Sequence, residues 1–95
     1  MDLAAAQEAA ERFVLDLQRQ TGVELLIVGD STIEFDSGWV FFYDSRKYLE
    51  SGSISDALAG NAPLIVSRHD GSVHVTGTAY PIERYIREFQ ESRST

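Results

Sequence analysis

Gly38-Trp39-Val40-Phe41-Phe42-Tyr43 is the most strongly β-favouring stretch of the chain, a glycine followed by an unbroken run of aromatic and β-branched residues. In an extended strand Trp39, Phe41 and Tyr43 point to one face, and Val40 and Phe42 to the other. Both faces are apolar, so this strand belongs in the middle of a sheet. Upstream, Thr32-Ile33-Glu34-Phe35 alternates apolar and polar, and Asp36-Ser37-Gly38 carries the turn chemistry of a hairpin. Before that, Val23 to Val28 is apolar except for Glu24 and ends in a turn at Gly29-Asp30-Ser31. Downstream, Pro63-Leu64-Ile65-Val66 reads as a further strand, opened by a proline that has no N–H for a ladder. His69-Asp70-Gly71-Ser72 is a hairpin turn, and Ser72-Val73-His74-Val75-Thr76 returns as its partner.

Helices flank this meander. Leu3, Ala6, Ala10, Phe13, Val14 and Leu17 form one apolar stripe at helical spacing, with Asp2 as a cap and Gly22 as a left-handed stop, which predicts a helix over about 3–20. Ile82, Tyr85, Ile86 and Phe89 repeat the pattern behind Pro81, which suits the first helical position. Residues 44–62 are polar and turn-rich. Tyr48 and Leu49 anchor them at one point and Ile54, Ala57 and Leu58 at another, where Ser53 caps a short helix that Gly60 ends. The expected fold is a two-layer α+β domain over residues 1–95: an antiparallel sheet of about four strands with the N-terminal and C-terminal helices on one face.

A single domain of 95 residues buries roughly 60–65% of the surface its unfolded chain exposes, which leaves little to line a deep cavity. Cysteine is absent, so disulfides, thiolate catalysis and cysteine-bound zinc are excluded. The first ten residues lack a basic segment followed by an apolar core, and no run approaches bilayer length; the expectation is a soluble, cytoplasmic protein with no membrane partner. Net charge is −7, with 11 Asp/Glu against 4 Lys/Arg in residues 1–60 and 4 of each in 61–95. That field repels phosphate backbones, which argues against nucleic acid, and attracts basic protein surfaces. It also serves plain solubility.

Motifs for chemistry are weak. His69 and His74 flank the Asp70-Gly71-Ser72 turn without metal-ligand spacing, so no metal or other cofactor is expected. No Gly-x-Ser-x-Gly turn marks a nucleophile, and no glycine-rich loop has the strand–loop–helix context of a phosphate cradle. Glu34 and Asp36 are a carboxylate pair on one side of a strand, but acid–base work would need one of them buried beside a cleft. Catalytic residues are therefore not assigned, and the surface remains. Trp39, with Asp30, Glu34, Asp36, Asp44, Tyr48 and Glu50 near it in sequence, is the candidate partner-binding set: an aromatic anchor in an anionic field suits a basic protein. A lone tryptophan in a small domain is equally a core residue.

Five segments taken together resemble the YrhB-like, immunity protein 35 family. They are Gly38 to Tyr43, Tyr48-Leu49-Glu50-Ser51-Gly52, Leu58-Ala59-Gly60-Asn61-Ala62-Pro63 through Val66, Asp70 to His74, and Gly77-Thr78-Ala79-Tyr80-Pro81 through Ile86. The resemblance as a whole extends over about residues 12–90, with these segments in order. The resemblance implies an α+β immunity domain that protects a bacterial cell by binding a cognate toxin protein; the mode expected is stoichiometric inhibition by a monomer or weak homodimer. It also implies signature positions at Trp39, Gly60, Asn61 and Pro63. Gly60, Asn61 and Pro63 have a structural reading too, as helix stop, polar cap and strand opener. Two rival functions stay open: a holdase that keeps unfolded clients soluble, and a small hydrolase built on His74, a serine and a carboxylate.

Overall fold

A computed structural model describes residues 1–52 and 62–93. The chain opens with α1 (Leu3–Thr21), whose first turn is closed by Asp2: its carboxylate accepts from the Ala5 amide at 2.9 Å. Gly22 ends the helix at φ 73°, a conformation open to glycine at little cost, and donates its amide to the Gln18 carbonyl at 2.8 Å. β1 (Leu25–Ile27), a 3-10 turn (Gly29–Ser31), β2 (Ile33–Phe35), β3 (Gly38–Phe41) and β4 (Tyr43–Ser45) follow. Next come α2 (Arg46–Ser51), β5 (Leu64–Ser67), β6 (Val73–Val75) and α3 (Ile82–Arg93).

The class is α+β, as expected. A four-stranded antiparallel sheet has the order β2-β3-β5-β6, with β3 in its interior, and a separate antiparallel pair joins β1 to β4. The stretch Trp39–Tyr43 is therefore shared: Phe42 interrupts it, its first part pairs with β2 and β5, and its second part with β1. Its alternation holds across the break. Trp39, Phe41 and Tyr43 all belong to one core with Leu64 and Val66, covered by Ala6, Ala10 and Val14 of α1. The two alanines are fully buried, and their small size lets the helix lie close against the large side chains of the sheet. Each large apolar side chain sealed there contributes about 1.5–3 kcal/mol relative to exposure.

The helices divide between the two faces of the sheet rather than sharing one. Ile33, Val40, Ile65 and His74 stand opposite one another in register, on the face turned away from Trp39 and Phe41. Phe89 of α3 meets that face edge-on, 6.1 Å from Phe35 and 5.1 Å from His74. Val40 and Ile65 are buried yet lie outside the α1 core. The reason is in β3 itself: a strand apolar on both faces needs a covering layer on each. Pro81 sits one residue before α3 rather than in its first turn, and its carbonyl accepts from the Arg84 amide at 3.1 Å. The helix expected between Ser53 and Gly60 lies outside the described residues.

Candidate functional site

Where β3 gives way to β4 at Phe42, the chain passes from the four-stranded sheet to the β1–β4 pair, and a hollow lies beside this junction. Ser45 starts α2 at once: its hydroxyl accepts from the Tyr48 amide at 3.1 Å. Arg46 holds this helix to the segment just before β1, donating to Glu24 and to Glu50, each at 3.0 Å. Glu24 first and Glu50 second keep the Arg46 guanidinium charged beyond its ordinary range. Tyr48 and Leu49 are thereby set facing Phe42, Val28, Ile33 and Pro63 across an open concavity of about 640 Å³. Ser31 and Asp44 supply its polar edge, and Asp30 is exposed next to Ser31. The floor is apolar and the edge is acidic, a surface suited to a basic protein and poor for a phosphate.

Only part of the set expected from sequence is gathered here. Asp44 and Tyr48 line the hollow and Asp30 lies beside it. Glu34 and Asp36 lie toward the other end of β3, around Arg68. Arg68 donates to the Glu34 carboxylate at 2.9 Å and to the Phe35 and Asp36 carbonyls at 3.0 and 3.2 Å. Glu50 is turned to Arg46. Trp39 is 1% exposed in the α1 core, with Arg68 stacked 4.2 Å over its ring, so its side chain braces the sheet rather than standing on the surface. Pro63 opens β5 as its missing N–H suggested, its carbonyl taking the Thr76 amide at 3.0 Å and the Thr76 hydroxyl at 2.8 Å. Gly60 and Asn61 lie outside the described residues. Sequence reasoning passed over Phe42, whose position in a run apolar on both faces concealed that the strand breaks there.

Burial, and then the neighbouring Asp44 charge, raise the Tyr43 phenol above its ordinary value of 10.0. A phenol that ionises later folded than unfolded contributes stability below pH 10 that is lost as pH climbs through its folded pKa. Wild type should therefore lose urea resistance above about pH 10 more steeply than Tyr43→Phe, and parallel curves would show that this phenol is not linked to folding.

His74, Ser72 and Asp70 come together at the β5–β6 turn. The Ser72 hydroxyl donates to Asp70 at 2.6 Å and lies 2.7 Å from His74 Nε2, a contact whose donor is set by the imidazole tautomer. Among the described residues no group of three or more His, Cys, Asp or Glu is placed to hold a metal ion, and no helix is long and apolar enough to cross a membrane.

Comparison with known proteins adds a family. The model of the family described as Immunity protein 35 matches residues 4–88. The Escherichia coli (strain K12) protein named "Uncharacterized protein YrhB" is 39% identical over 61 residues, which span 64% of this chain and 65% of that protein. The matched stretch thus falls just short of two thirds of the relative's length. No solved structure matches.

Proposed function

This chain belongs to the immunity protein 35 family, and on that premise we propose that it binds a cognate bacterial toxin protein in the cytoplasm and neutralises it stoichiometrically, with no catalysis of its own. The observation that carries the reading is the hollow beside β4: an apolar floor of Phe42, Tyr48 and Leu49 outside the α1 core, bordered by Asp44 and Asp30. Apolar anchors slow release, and an anionic border speeds encounter with a basic toxin surface.

The test is co-expression with the toxin domain encoded beside the gene, paired with calorimetry on the purified proteins. Protection of the cell and a one-to-one complex are expected. Leu49 is 39% exposed, so Leu49→Lys should weaken the complex on the order of tenfold or more without shifting thermal unfolding. Asp30→Lys should slow association several-fold at low salt and have little effect at high salt. Full toxicity with no complex would remove the reading. Equal suppression of aggregation of unrelated enzymes would favour a holdase instead.

A further inference from the structure

The antiparallel pairing of β1 with β4 decides which way the β1 backbone points. The Val28 amide donates to the Phe42 carbonyl at 2.8 Å and the Arg46 amide to the Glu24 carbonyl at 2.9 Å. With Leu26 directly opposite Asp44, the backbone groups of residues 24, 26 and 28 are turned inward to β4. Those of Leu25 and Ile27 are turned outward, and no strand among the described residues lies beyond them. One outward group is met from α1: the Leu25 amide donates to Gln18 Oε1 at 3.0 Å, a side-chain carbonyl standing where a neighbouring strand would place its own.

Along this edge runs a slot of about 340 Å³, with β1 on one side and Glu11, Leu15 and Gln18 of α1 on the other. Its apolar parts are wet, Leu15 at 45% and Leu26 at 43% exposed, although both sit in a domain with a well-sealed core. Glu11 accepts from the neutral Gln7 amide at 3.3 Å and has no ion pair among the described residues. Leu26 of the slot stands opposite Asp44 of the hollow in the β1–β4 register.

We propose that the outer edge of β1 takes an extended segment of the partner as an added strand. That segment bears an apolar residue for Leu15 and Leu26 and a Lys or Arg for Glu11. The partner's identity rests on the immunity reading; the mode of docking rests on the strand edge. Main-chain bonds to the Leu25 carbonyl and to the Ile27 amide and carbonyl give affinity, and the side chains of the slot select the sequence. Charge decides against a second copy of this chain, which would bring another net −7 and a second Glu11 to the same edge.

The experiment uses the full chain and the toxin domain encoded beside its gene. Leu26→Glu and Glu11→Lys, both at exposed positions, should each weaken the complex on the order of tenfold with unchanged urea midpoints. Exchange of the Ile27 amide should slow in the complex. Unchanged affinity in both variants, while Leu49→Lys still loses binding, would overturn the strand addition and leave the toxin reading standing. No binding by the wild type would overturn both. A wild-type dimer that Leu26→Glu dissolves would give the edge to a second copy and overturn the proposal.

Discussion

Gly38→Ala is expected to lower stability by about 3 kcal/mol and the urea midpoint by about 1–2 M, a large share of what a domain this size has to spare. A Cβ at this position would run into the backbone carbonyl oxygen of Val66 and come within 3.2 Å of the Arg68 amide. Both belong to backbone, not to the tip of a flexible side chain, and β5 cannot retreat without loosening its pairing with β3 and β6. Gly38 is also directly opposite Ser67, so the strain falls on the central ladder of the sheet. Gly29→Ala is the control, since nothing lies within 4 Å of a Cβ there, and it should be close to neutral. Equal midpoints for the two variants would mean that the close approach of β3 to β5 at Gly38 is not a constraint on the fold.

Trp39→Ala is expected to cost about 4 kcal/mol, because it opens a cavity between α1 and the sheet at a side chain only 1% exposed. Trp39→Phe should cost much less, no more than about 1.5 kcal/mol. The indole Nε1 is buried with no hydrogen-bond partner among the described residues, so replacing the ring removes a donor whose burial is itself unfavourable by about 1–3 kcal/mol. Phenylalanine also keeps an aromatic face beneath the Arg68 guanidinium, which stacks at 4.2 Å and ties the β2–β3 hairpin to the end of β5. The two variants separate the packing role from a contact role. Trp39→Phe should bind the toxin domain as wild type does; a stable Trp39→Phe that no longer binds would return the residue to the interface.

The candidate site was legible in its parts but not in its assembly. Tyr48 and Asp44 were identifiable as aromatic and acidic residues in a polar connection, and they do line the hollow. Glu34, Asp36 and Trp39, equally near in sequence, are carried elsewhere: the first two to Arg68 and the third to the core. Sequence distance overstates proximity within a strand, because adjacent residues point to opposite faces and a few residues separate the ends of the sheet. Leu26 shows the complementary failure. In an apolar run such as Leu25-Leu26-Ile27 no alternation reveals which residue is wet, and only packing against α1 buries the Leu25 side chain and leaves Leu26 exposed.

What the sequence determined by itself was local: where α1 begins and ends, that β3 is interior, that Asp70-Gly71 turns a hairpin, and that the architecture is α+β. Each follows from forces acting over a few residues, such as a cap's hydrogen bond, the freedom of a glycine or the period of the apolar positions. The tertiary structure alone decided that α1 and α3 take opposite faces, that the strand breaks at Phe42 to leave a hollow, and that β1 presents an outer edge. Those outcomes depend on which apolar faces find each other across the whole chain. Many pairings of the same stretches satisfy the local rules, and burial of both faces of β3 selects among them.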